Sequence, residues 1–151
     1  MNATSAPRPE LEGLSVSVVV YRPDQAQLAT TFASLGHACA ALRATRPGLP
    51  VHLYLVDNGG LPDERAALDA LSAQGVTSTI LSGHGNVGYG RGHNLAIERA
   101  VGRYHLVLNP DIDLDRHALL RALEFFEANP AAGLLTPWIG DEAGHQQFLC
   151  R

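Results

Sequence analysis

Leu106-Val107-Leu108-Asn109-Pro110-Asp111-Ile112-Asp113-Leu114 (LVLNPDIDL) is the stretch on which the reading of the chain turns. The apolar run that enters it, Tyr104 to Leu108, has the length and composition of a buried strand. Pro110 has no N–H to give a ladder, so the strand stops about there. Asp111 and Asp113 therefore follow the carboxyl end of a strand, where open α/β sheets hold their ligands. If the segment is still extended, residues i and i+2 face one side, with Cα atoms roughly 7 Å apart. Two carboxylates so placed can share a divalent cation, and Mg²⁺ is commonly held by one or two carboxylates plus substrate phosphates. The alternative is a pair of solvated turn acids ahead of the next helix.

Outward from this stretch, strand and helix patterns alternate. Leu14 to Tyr21 (LSVSVVVY) reads as a buried first strand. Asp24 with Gln27 makes an approximate capping box for a helix running to about Arg46, with Leu28, Phe32, Leu35 and Leu42 on one face. Pro47-Gly48 ends it, and Val51 to Val56 forms a second strand. Asp57-Asn58-Gly59-Gly60 is a turn, Pro62 suits the first turn of a second helix, and Gly75 suits its exit. Val76 to Leu81 is a third strand, followed by a glycine-rich loop and a short helix near His93 to Val101. After the fourth strand, Asp115 caps a helix carrying Leu119, Leu123 and Phe126, stopped by Asn129-Pro130. Leu134 to Ile139 is a candidate fifth strand, and Gly140 to Gly144 a hairpin turn. The alternation predicts a parallel-rich sheet covered by helices.

At 151 residues, 46% hydrophobic and 17% charged, the chain has the size and composition of one globular domain. A formal charge of −4 argues against a nucleic-acid partner, which would call for a basic face. Two cysteines, Cys39 and Cys150, have no CxxC spacing, so neither a disulfide scaffold nor a zinc site is expected. Residues 1–13 read as a frayed polar tail, and no run is apolar enough to span a membrane. These features predict a cytoplasmic protein.

Ser82 to Asn94 (SGHGNVGYGRGHN) holds five glycines, at 83, 85, 88, 90 and 92. Glycines let a backbone turn sharply and approach a ligand without a Cβ in the way. Gly83, Gly85 and Gly88 also match GxGxxG after a strand, with Asp111 at about the distance of a ribose-binding acid, which keeps an NAD-type dinucleotide binder open. Against it, the loop follows the third strand and the helix starts late. Asp57 can accept from a base imide or a ribose hydroxyl, or can close an Asx turn. Arg91 is a candidate phosphate partner or a solvated arginine. Neither His84 nor His93 is assigned as a ligand. The chain has no lysine, and therefore no P-loop.

VSVVVYRPD (Val16 to Asp24), LVDNGG (Leu55 to Gly60), NVGYGRGHNLAI (Asn86 to Ile97), LVLNPDIDL and ANPAAGLLTPWIGDEAG (Ala128 to Gly144) together resemble the family 2 glycosyltransferases. These are nucleotide-sugar-dependent enzymes of the GT-A fold, and the similarity is greatest to the rhamnosyltransferase-like members. The resemblance implies a Rossmann-like α/β fold with Tyr21 and Asp57 lining the nucleotide base pocket. It places Asn86, Gly88, Gly92 and Asn94 along the nucleotide, and Asp111 and Asp113 at the ribose and a divalent metal, Mg²⁺ or Mn²⁺. Arg22 departs from the Asn that usually follows the Tyr.

The implied reaction is inverting transfer from dTDP-rhamnose or a UDP-sugar to a glycan or lipid-linked acceptor, in cell-wall or polysaccharide synthesis. Peripheral association with the inner face of a membrane is part of that expectation. Family members carry the acceptor site and general base beyond the hairpin, so residues 14–151 are expected to be the nucleotide-binding part of a domain truncated at its C-terminus. A non-catalytic remnant, completed by a second chain or by self-association, is the rival within the family. A purely structural domain is the other.

Overall fold

Four strands and four helices alternate: β1 (Leu14–Val20), α1 (Gln25–Thr45), β2 (Val51–Asp57), α2 (Arg65–Ala73), β3 (Val76–Leu81), α3 (Tyr89–Ile97), β4 (Tyr104–Leu108) and α4 (Ala118–Ala128). The structure, a computed structural model, describes residues 12–141 and 143–146. All strand pairings are parallel, in the order β3-β2-β1-β4. Leu14 of β1 lies opposite Val51 on one side and Tyr104 on the other. The chain builds outward from β1 to β3, then returns to β4 on β1's free side. That reversal creates a switch point between β1 and β4, and ligands of open α/β sheets bind outside the carboxyl ends at such a point.

Side chains alternate across the sheet, so each strand feeds two cores. Val16, Val18 and Val20 of β1, with Leu53, Leu55 and Leu108, meet the apolar face of α1: Leu28, Phe32, Leu35 and Leu42. Leu71 of α2 and Leu119 and Leu123 of α4 complete this core. A fully buried leucine of this kind contributes about 2 kcal/mol. On the opposite face Val19, Tyr54 and Val56 pack with Ala96 of α3. That second face is thinly covered at β4, where Val107 remains 47% exposed.

Several boundaries differ from the sequence reading. β1 ends at Val20, one residue before Tyr21. Asp24 caps α1 by accepting from the Ala26 and Gln27 N–H groups. Pro62 precedes α2 by three residues instead of lying in its first turn, because Asp63 folds back to accept from the Arg65 N–H. α3 begins at Tyr89, four residues before His93, since Gly88 supplies the positive φ (84°) that lets the chain turn straight into the helix. Asp115 closes a turn onto the His117 N–H, and α4 starts only at Ala118. Leu134 to Ile139 forms no strand: Leu134 is exposed and nothing among the described residues pairs with the segment. The hairpin after it is present as a single antiparallel bridge, Gly140 to Gln146, closed by the Asp141 carboxylate on the His145 N–H. Residues 1–11 of the expected tail and the terminal 147–151 lie outside the described residues.

α3 approaches the sheet closely because residue 92 has no side chain. A Cβ there would sit 2.9 Å from both γ-methyls of Val19. Gly92→Ala is expected to cost about 1–3 kcal/mol through overpacking, read as a lower urea midpoint at unchanged slope. An unchanged midpoint would show that α3 does not press on β1.

Candidate functional site

Three strand ends and one loop meet at the carboxyl edge of the sheet. Val20 and Asp57 are register partners, so Tyr21 and Asp57 emerge from neighbouring strands. The half-exposed Tyr21 ring lies against Gly59, where an added Cβ would come within 3.3 Å of it. Arg22 donates its N–H to the Gly59 carbonyl at 2.8 Å and holds φ at +45°. That left-handed backbone is tolerated by Asn better than by most residues. The Asp57 carboxylate accepts from the Gly59 and Leu61 N–H groups through one oxygen, at 2.8 and 3.3 Å. The Asx turn is therefore formed, and it leaves the second carboxylate oxygen for other partners.

Asn58 is a residue that the motif reading passed over. It is buried, its N–H reaches the Val20 carbonyl, and its side-chain amide donates to the Gly88 carbonyl at 3.1 Å. A carbonyl can only accept, so this bond orients the amide and makes His84 Nε2 the donor to Asn58 Oδ1, also at 3.1 Å. Asn58 thus pins the glycine loop over the end of β2. At the other end of the loop, the Tyr89 hydroxyl donates to Asn109 Oδ1 at 2.5 Å, just past the end of β4. Between β3 and α3 the loop crosses the whole carboxyl edge, tied on both sides of the switch point.

The glycines divide by role. Gly83, Gly85 and Gly88 hold positive φ, Gly92 is a packing position, and Gly90 has open space around it. Asn86 accepts from the Gly88 N–H, and Asn94 is exposed on α3 beside Arg91.

Asp111 and Asp113 have different surroundings. Pro110 and Asp111 form a turn, so the extended geometry that would align i with i+2 is not adopted. Asp111 is exposed and close enough to Tyr89 that its charge, after burial, helps hold the phenol above its ordinary value. Asp113 lines a depression of about 350 Å³ with Ser34, His37, Ala40, Leu114 and Arg116, on the α1 side. The Ser34 hydroxyl fixes this segment by accepting from the Leu114 N–H. Among the described residues no three His, Cys, Asp or Glu side chains are grouped to hold a metal. What the edge offers a cation is a carboxylate at the switch point, which suits an ion that draws its other ligands from a substrate's phosphates and water.

Beneath the site, Ser15 and Ser17 of β1 anchor a buried polar chain. The Ser15 hydroxyl donates to the Tyr104 carbonyl and therefore accepts from His105 Nδ1, at 2.7 Å. His105 Nε2 then accepts from Ser17, whose oxygen accepts from His93 Nδ1 at 2.7 Å. His93 Nε2 is left as a buried nitrogen with no partner among the described residues. The dinucleotide reading loses its geometry: β3 and β4 are opposite edges of the sheet, roughly 14 Å apart by strand spacing. Asp111 thus does not follow the strand that neighbours β3, as a ribose-binding acid of that fingerprint would. The late helix start that counted against that reading is not found.

These features define an α/β domain with a glycine loop over the carboxyl edge of a parallel sheet. The chain belongs to the family described as glycosyl transferase family 2, whose sequence profile matches residues 15–147. The crystal structure of S. aureus TarS superposes with TM-score 0.58 at 17% identity, over 77% of this chain and 20% of that one. S. aureus TarS 1–349 in complex with UDP-GlcNAc superposes with TM-score 0.59 at 18% identity, over 78% of this chain and 32% of that one. The complex of the same protein with UDP gives TM-score 0.59, 18% identity and coverages of 78% and 33%. The chain therefore spans between a fifth and a third of these neighbours, with which it shares the GT-A architecture. No curated sequence matches it.

Burial, together with the nearby His105, pushes the His93 imidazole down from 6.5 to about 4. The unfolded chain therefore takes up this proton first. His93 is predicted to cost stability as pH falls from about 6.5 to about 4, and nothing further above that window. A shift of this size corresponds to about 3 kcal/mol. Urea unfolding across that range should show the slope, and His93→Asn, which keeps a donor for Ser17, should remove most of it. A variant with the parental slope would place the titration elsewhere.

Proposed function

We propose that the chain binds a nucleoside-diphosphate sugar at the carboxyl edge of its sheet and serves as the donor half of a glycosyltransferase. One observation carries this reading. The glycine loop is tied to β2 through Asn58 and to β4 through Tyr89, across the carboxyl edge where Tyr21, Asp57 and Asp111 follow the ends of β1, β2 and β4. At that edge the Tyr21 ring would offer a face to a base, and the second oxygen of Asp57 an acceptor for an imide N–H. The open backbone at Gly88 and Gly90 lets a diphosphate approach α3's first turn, whose N–H groups favour anions. Asp111 is the carboxylate placed to share a ribose or a cation with the donor. Asp113, beside α1, is assigned the lesser share in holding that cation. Asn94 and Arg91 stand on the outer side of α3 and would meet the sugar-diphosphate from there.

A bound Mg²⁺ or Mn²⁺ would supply charge to a departing pyrophosphate. Inverting transfer to a glycan or lipid-linked acceptor, with dTDP-rhamnose or a UDP-sugar as donor, is the reaction proposed for the assembled enzyme. Its acceptor hydroxyl needs a base within hydrogen-bond reach, and we assign that role to none of the described residues. No helix among them is long and apolar enough to cross a membrane. Association with a membrane-borne acceptor would therefore be peripheral for these residues.

Calorimetric titration with UDP, dTDP and NADH, each with and without Mn²⁺, tests the reading. Expected is Mn²⁺-dependent binding of UDP or dTDP, weakened at least tenfold in Asp111→Ala and less in Asp113→Ala. Metal-independent binding of NADH would overturn it.

A further inference from the structure

Residues 88–90 have almost no packing of their own. Gly88 and Gly90 flank Tyr89, and a Cβ at either would meet nothing within 4 Å. At this first turn of α3 the backbone gives one tie, the Gly92 N–H to the Gly88 carbonyl at 3.0 Å, and the rest must come from side chains. Asn58 holds it from the β2 side through the Gly88 carbonyl. On the β4 side the tie is Tyr89, whose hydroxyl reaches Asn109 at 2.5 Å, the short end of the O–H···O range. Burial does not place this side chain: it is 53% exposed, and its ring meets His93 edge-on at 4.4 Å between centroids. Asn109 is two residues from Asp111, so the same bond that anchors the loop also sets the turn carrying the carboxylate.

We infer that Tyr89 is a positioning residue: its hydroxyl clamps the glycine loop to the Asn109–Asp111 turn, and a nucleoside diphosphate binds tightly only while that clamp is closed. This rests on the donor-binding reading above. Without the hydroxyl, the β4 side of the loop would have to be ordered by the ligand itself, and affinity would fall by the fraction of time that side is in place.

The test compares the intact chain with Tyr89→Phe, Asn109→Ala and the double variant, titrated with UDP and Mn²⁺. One net hydrogen bond corresponds to roughly a fivefold to tenfold change, so each single variant should raise Kd by about that factor. The double variant should be no worse than either, because both remove one bond. Thermal midpoints should stay close to the parent's, which a merely structural role would not allow. A Tyr89→Phe protein with parental Kd would overturn the proposal. If the parent chain itself binds no UDP, the donor-binding reading fails separately. The clamp is then read in the free protein by hydrogen exchange at the Gly92 and His93 amides. Exchange faster by about fivefold to tenfold in Tyr89→Phe supports it, and unchanged exchange overturns it.

Discussion

A parallel strand paired on both sides gives its backbone groups to its neighbours and its side chains to the interior, and β1 is in that position along five of its seven residues, Leu14 to Val18. One face of β1 is solved by ordinary burial, with Val16, Val18 and Val20 against α1. The other face carries Ser15 and Ser17, and a buried hydroxyl without a partner costs free energy comparable to a lost hydrogen bond. Both are paired, through His105 on β4 and His93 on α3. The polar chain thereby selects which strand lies on β1's outer side and which helix lies above it. With those two placed, the switch point and the crossing of the glycine loop follow from chain connectivity.

Much of this architecture was legible before the structure. Alternating strand and helix patterns locate all eight elements, and the faces of α1 and α4 were read correctly because a 3.6-residue period leaves a clear record. The misread boundaries share a cause. At Pro62, Asp115 and Gly88 the deciding event is a short-range turn: a carboxylate folding onto an N–H two residues ahead, or a glycine at positive φ. Turn chemistry of that kind competes with helix starts over the same few residues. The supposed strand at Leu134 to Ile139 failed for a different reason. An apolar run becomes a strand by pairing, and composition carries no information about a partner.

At the site the strand-end acids and the glycine loop could be found from their positions, since a parallel sheet brings its carboxyl ends to one edge. Asn58, His84, Tyr89 and Asn109 could not. Asn58 read as one letter of a turn, and nothing in the sequence pairs Tyr89 with a residue twenty positions away. The two aspartates around Ile112 illustrate the limit from the other side. Their spacing suggested a common target, but the turn at Pro110 and Asp111 sends one toward Tyr89 and the other toward α1.

Charge sets the remaining requirement on any ligand of this edge. The chain has no lysine and a formal charge of −4, and the carboxyl edge carries Asp57 at the end of β2 and Asp111 just beyond β4. A diphosphate brings further negative charge to a place where carboxylates already stand, and like charges a few ångströms apart repel by several kcal/mol at the intermediate dielectric of a protein surface. α3's N-terminus offsets part of that, on the order of half an elementary charge. In the proposed donor site the balance would be closed most simply by a divalent cation taken up with the ligand, because Asp111 would then change from a repelling group into a ligand of the ion. A donor and its metal would bind this edge as one unit, each weakly without the other.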